Sequence, residues 1–145
     1  MKVLIETQLK VLKEKTTNDF SALALMDEDG HIRWEFVAGN CNEKFKLMLK
    51  RPGQGLAGMV FRYGRIIVLD ESIPNMVNKR LEFPIMIAEN LVSAVGVPVW
   101  VGAVTRGILL VGSREPKRFS KNTIDLIQQT AKEISNIIYN WESQD

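Results

Sequence analysis

The sequence predicts an α+β domain: an antiparallel sheet with helices on one face and a loop-built pocket on the other. Three features carry that prediction. Apolar residues recur at helical spacing at both ends of the chain, strand-like runs come in consecutive pairs, and a polar, proline-containing connection interrupts them from Asp70 to Asn90. At 145 residues, 46% hydrophobic and 25% charged, the chain fits a single domain spanning 1–145, able to bury a core without disulfides or metals.

The elements follow in order. Ile5, Leu9 and Leu12 mark an amphipathic helix that ends near residues 16–18, where the composition turns polar. Phe20 to Met26 is a continuous apolar run, as expected of a central strand, and Asp27-Glu28-Asp29-Gly30 supplies a hairpin turn. From His31 to Ala38 the pattern alternates, which places Ile32, Trp34, Phe36 and Ala38 on one face with Trp34 pointing inward. Lys44, Lys46, Lys50 and Arg51 read as a solvated cluster. Arg51-Pro52-Gly53-Gln54-Gly55 is too rich in Pro and Gly to be regular; a helix starts at about Leu56, and Gly64 is placed to end it.

Ile66 to Leu69 is a short strand, and the connection after it holds one short helix following Pro84. Val92 to Trp100 and Gly107 to Ser113 form an antiparallel pair, in which Pro98 implies a bulge or an unpaired edge. Ser120 caps a last helix, on which Ile124, Ile127, Ala131, Ile134, Ile138 and Trp141 form a heptad stripe. That stripe either packs on the sheet or is also shared with a second copy, as a homodimer through the terminal helices.

Composition narrows the function. Nineteen basic residues against seventeen acidic ones, net +2, are too balanced for a nucleic-acid backbone as partner. No run approaches the ~20 apolar residues of a membrane span, and the first fifteen residues read as a helix and not a signal peptide. Cys41 is the only cysteine, so neither an internal disulfide nor a thiolate metal cluster can form, which fits a reducing cytoplasm.

Gly53-Gln54-Gly55-Leu56-Ala57-Gly58 spells a dinucleotide fingerprint, yet Lys50-Arg51-Pro52 stands where a buried strand is required and Asp70 comes too early for the acidic partner. The physics beneath the motif survives. A glycine-rich approach to a helix leaves the amides of Leu56 and Ala57 without intrahelical partners, to be met either by a small anion or by water and the loop. Catalytic and metal chemistry find no support: His31 is the only histidine and lies at a turn, the Asp27–Asp29 acids lack the spacing of a calcium loop, and Cys41 has no resolving thiol. Trp34, Phe83 and Met86 are core residues unless a pocket is built beside them.

Two stretches resemble the GAF family. One is Gly53 to Leu69, with its glycine-rich turn, short helix and Arg65-Ile66-Ile67-Val68-Leu69; the other is Ser93-Ala94-Val95-Gly96-Val97-Pro98-Val99 followed by Gly107-Ile108-Leu109-Leu110-Val111. The resemblance implies a GAF fold with a sheet of five to six strands. Asp29-Gly30 with Trp34, Gly55-Leu56-Ala57-Gly58 and Phe83-Pro84-Ile85-Met86 further resemble the stand-alone nitrate receptors of the NreA type within that family. This second resemblance implies a cytoplasmic, non-enzymatic nitrate sensor that works on a sensor histidine kinase. Its site would use the amides of Leu56 and Ala57, the Trp34 indole and the loop at Phe83, Pro84 and Ile85, with no metal or cofactor. The alternatives are a GAF enzyme reducing free methionine sulfoxide, for which one cysteine is too few, and a GAF module for another small ligand such as a nucleotide or tetrapyrrole.

Overall fold

The computed structural model describes residues 1–144. The chain runs α1 (Lys2–Lys15), β1 (Phe20–Met26), β2 (Ile32–Ala38), a 3-10 turn (Lys44–Leu47), β3 (Leu49–Lys50), α2 (Gly55–Tyr63) and β4 (Ile67–Leu69). It continues through α3 (Met76–Lys79), a second 3-10 turn (Arg80–Glu82), α4 (Pro84–Ala88), β5 (Ser93–Val101), β6 (Val104–Ser113) and α5 (Lys121–Glu142). The six strands form one sheet in the order β3-β2-β1-β6-β5-β4, every neighbouring pair antiparallel.

β1 is central and buried on both faces, as its unbroken apolar run requires. Its turn into β2 is organised by Asp27. Oδ1 accepts from the amides of Asp29 and His31, each at 2.9 Å, and Oδ2 accepts from Arg33 Nε at 3.0 Å. These donors, the His31 amide foremost, hold the Asp27 carboxyl below its ordinary value against partial desolvation. Asp27, Asp29 and His31 stand close enough together to share a cation, but the Asp27 oxygens are already occupied in shaping the turn.

The sheet separates two apolar layers. On one face α1 and α5 pack Ile5, Leu9, Leu12, Ile127, Ile134 and Ile138 against alternate residues of the strands, among them Leu23, Val97 and Leu109. Ser120 caps α5, its Oγ accepting from the Thr123 amide at 3.1 Å, and the apolar stripe lies on the sheet from Ile127 to Ile138, leaving Trp141 exposed. On the other face, α2, α3, α4 and the two 3-10 turns form a cap over Ala22, Ala24, Ala94, Ile108 and Leu110.

Two local readings change, and at Pro98 the structure decides between two alternatives. Ile32, Trp34, Phe36 and Ala38 do not share a face, because β2 carries a β-bulge. Leu23 pairs with Phe36 and Ala24 with Trp34, so Glu35 is an extra residue without a partner in the register. Ile32, Trp34 and Val37 consequently face the cap, while Phe36 and Ala38 face the terminal helices. The connection after β4 is more helical than the sequence suggests, with two short helices and a 3-10 turn in place of one helix after Pro84. Packing overrides weak local signals here: Arg80 donates to the Leu91 and Met86 carbonyls at 2.7 and 3.4 Å and draws the segment into a compact fold. At Pro98 the unpaired-edge alternative holds, since β4 pairs with β5 only from Ala94 to Gly96; the bulge lies instead at Arg106, opposite the step from Val99 to Trp100.

Candidate functional site

The site is built around the start of α2. Gly53 has φ +92° and donates its amide to the Gly58 carbonyl at 2.8 Å, while the Gln54 amide bonds the Arg51 carbonyl at 3.0 Å. This tight turn folds back on the helix so closely that a Cβ on Gly58 would lie 2.5 Å from the Arg51 carbonyl oxygen. Gln54 occupies the cap position, but its Oε1 accepts from the Arg51 amide at 3.2 Å and does not cap the helix. The first intrahelical bond runs from the Gly58 amide to the Gln54 carbonyl at 3.0 Å. Gly55, Leu56 and Ala57 therefore keep amide hydrogens without a protein acceptor among the described residues.

These amides belong to a buried helix start. Leu56 and Ala57 lie in the same apolar cluster as Trp34, Phe83 and Ile85, and all five residues are buried; Pro84, the first residue of α4, is half-buried. The fold thus brings together residues as far apart in sequence as Trp34 and Ile85. Trp34 arrives from β2 on the cap side of the bulge, Leu56 and Ala57 from α2, and Phe83 with Ile85 from the start of α4, where Pro84 can occupy the first turn because it needs no hydrogen-bonded amide. The cluster itself is apolar, and at the helix start the Lys50 stem lies 3.4 Å from where a Cβ on Gly55 would stand and the Arg62 guanidinium 2.7 Å from where one on Gly53 would stand.

Phe45, Met76 and Val60 close the same cluster and were not legible as site residues. Phe45 sits among lysines with no periodicity, and Met76 follows Asn75, whose φ of +58° starts a four-residue helix that propensity alone would not support. At the far end of the cap, Glu89 is fully buried, with Oε1 accepting from Arg114 Nη2 at 3.0 Å and from the Cys41 amide at 2.8 Å, and with Oε2 lacking a hydrogen-bond partner. Arg114 also donates through Nε to the Glu89 carbonyl at 2.9 Å and through Nη2 to the Gly39 carbonyl at 3.1 Å. This clamp joins the ends of β2, α4 and β6. Cys41 is exposed beside it, its thiol 3.7 Å from the Ala88 carbonyl and outside the buried cluster.

Asp70, at the start of the connection, is also buried. Desolvation pushes its carboxyl up, but the hydroxyl and amide of Ser72 at 2.5 and 2.9 Å, the Phe119 amide at 3.3 Å and the charge of Arg118 together hold it below its ordinary value. It fixes the exit of β4 to the segment before α5. A groove of about 780 Å³ lies outside the cluster, between α5 and the β4 edge past Arg65, Trp100 and Lys132. Another, of about 530 Å³, meets the outer side of Trp34 and Phe45 near Glu43 and Lys46.

A six-stranded antiparallel sheet with terminal helices on one face and a capped, apolar interior on the other defines the class: a small α+β domain of the kind that encloses ligands under loops. The family model of the GAF domain matches residues 1–138, and this chain belongs to the GAF domain family. Among solved structures, a hypothetical protein from S. aureus is 30% identical, with a TM-score of 0.73, 81% of this chain and 98% of that one being covered. A mutated NreA protein from Staphylococcus aureus, altered in its nitrate binding site, is 29% identical with a TM-score of 0.71, over 82% of this chain and 92% of that one. A type II free methionine-R-sulfoxide reductase from Thermoplasma acidophilum shares the fold, with 18% identity and a TM-score of 0.75 over 96% and 92% of the two chains. No curated protein sequence matches this chain.

Proposed function

We propose that this chain is a cytoplasmic, non-enzymatic nitrate sensor that modulates a partner sensor histidine kinase. The observation that carries the reading is the buried start of α2, where the Leu56 and Ala57 amides lack protein acceptors inside a neutral cluster with Trp34, Phe83 and Ile85. Nitrate is planar, singly charged and weakly hydrated, so uncharged donors in an apolar surround replace its water at modest cost. Phosphates and carboxylates, which are more strongly hydrated, call for arginine or lysine, and none of the positions Trp34, Leu56, Ala57, Phe83 and Ile85 carries one, although Lys50 and Arg62 flank the turn. The likeness to NreA structures altered in a nitrate binding site supports the same ligand.

The signal is a population shift: nitrate must bind one arrangement of the cap more tightly than another, and the differential affinity sets how far the equilibrium moves. The connection from Asp70 to Asn90, with Phe83 and Ile85 on the ligand side, is the element that moves. Calorimetric titration with nitrate, with chloride, nitrite and phosphate as controls, tests the reading on wild type and Trp34→Ala. Saturable nitrate heat that weakens at least ~10-fold in the variant is expected, a loss of about 1.4 kcal/mol. Neither heat nor a shift in melting temperature at millimolar nitrate would remove nitrate as the ligand.

A further inference from the structure

We propose that the outer surface of the cap is a docking surface for a protein segment carrying apolar side chains between carboxylates, and that ligand state is read out there; the second clause rests on the sensor reading above. The cap elements present one set of side chains to the buried cluster and the next set to solvent. Phe45 is buried where Leu47 is 86% exposed, Met76 is buried where Val77 is 75% exposed, and Ile85 and Met86 are buried where Ile87 is 45% exposed. Leu81, in the 3-10 turn between them, is 57% exposed. α4 packs against both 3-10 turns, and α3 packs against the second, so these four side chains belong to one continuous structure.

Elements of four or five residues cannot turn only one of their sides. A change in how Phe83, Ile85 or Met76 packs rotates or shifts the whole short helix, and Ile87 and Val77 move with it. The surface is therefore mechanically tied to the interior in a way that the long terminal helices are not.

Charge identifies the partner's chemistry. Residues 43–51 and 76–88 carry six lysines and arginines against two glutamates, net +4, in a chain whose total is +2, leaving the remainder at −2. Lys46 and Lys79 are engaged with Glu43 and Glu82, and Arg80 is turned to backbone carbonyls. Lys44, Lys50 and Arg51 have no carboxylate partner among the described residues. An apolar cap with free cations at its margin matches an acidic, apolar protein segment and selects against basic ones. Three free cations, with no long amphipathic helix beside them, make a weak membrane anchor, so a protein partner is favoured.

The test uses the full chain and the purified cytoplasmic part of the nitrate-responsive sensor kinase of the same organism, titrated with and without nitrate. Leu81→Glu with Ile87→Glu, and separately Lys44→Glu, are expected to weaken kinase binding at least tenfold while nitrate heats stay at the wild-type value. Tyr139→Glu on the opposite face is expected to leave kinase binding intact. Absence of kinase binding by wild type, unchanged binding by both cap variants, or its loss in Tyr139→Glu alone overturns the proposal. So does wild-type binding to phosphatidylglycerol vesicles, lost in both cap variants, that exceeds binding to the kinase. If wild type gives no nitrate heat while the cap variants still lose the kinase, the docking surface stands and the nitrate reading falls.

Discussion

The two faces of the sheet are covered in opposite ways. α1 and α5, of 14 and 22 residues, lay continuous apolar stripes on one face; the other is covered by a nine-residue helix, helices of four and five residues and two 3-10 turns. Helices shorter than about 12 residues are marginal on their own, so each cap element depends on what it packs against, whereas the terminal helices bury long continuous stripes on the sheet. One face behaves as a foundation and the other as an adjustable cover. Ligand-responsive parts of a protein are drawn from the low-stability end of its local free energies, which places any response on the cap side.

The largest effect that would test this contrast comes from the foundation. Ile134 is fully buried beneath α5, and Ile134→Ala is expected to cost about 2–5 kcal/mol of global stability by chemical denaturation, with protection lost together in α1, α5 and the central strands. A small loss, or exchange confined to α5, would break the contrast.

A middle-sized effect belongs to the α2 start. Gly58→Ala forces a Cβ against the Arg51 carbonyl, a backbone atom that cannot step aside alone, and is expected to cost about 1–3 kcal/mol. Because it opens the turn that presents the Leu56 and Ala57 amides, anion binding should fall more than stability does. Calorimetry beside a denaturation curve separates the two, and equal binding in both proteins would show that the turn does not set the site.

The smallest effect sharpens the border between the layers. Asp70→Asn removes charge-assisted acceptance from Ser72 and Phe119 and should cost about 1 kcal/mol at neutral pH. Because the folded carboxyl is held below its ordinary value of 3.8, its contribution is full above that value and declines as pH falls through the lower folded one. Wild type and variant should therefore converge in acid. A stability gap that stayed constant from pH 7 to pH 2 would assign the cost to packing and not to charge.

The same contrast explains what could be read from the residues alone. The stripe on α5, the cap at Ser120 and the unbroken run of β1 are periodic over many residues, so their placement follows from counting. Leu56 and Ala57 were legible because glycine chemistry marks a helix start. What escaped depends on single events or on distant partners. The bulge at Glu35 has no signature in an alternating run, Phe45 lies in a lysine-rich stretch without period, and the Glu89–Arg114 clamp joins residues twenty-five apart through one buried ion pair. Phe83 and Ile85 came from family resemblance, since a loop of that composition discloses the helix after Pro84 but neither α3 nor its inner side.

The bulge in β2 leaves that strand with two independent phases. Residues 32–34 take their orientation by counting forward from the Asp27 turn, and residues 36–38 by counting back from the loop that the Arg114 clamp holds at Gly39. The unpaired Glu35 works as a punctuation mark between two reading frames. A length change beyond it can be absorbed without turning the Trp34 indole from the capped face to the helical one.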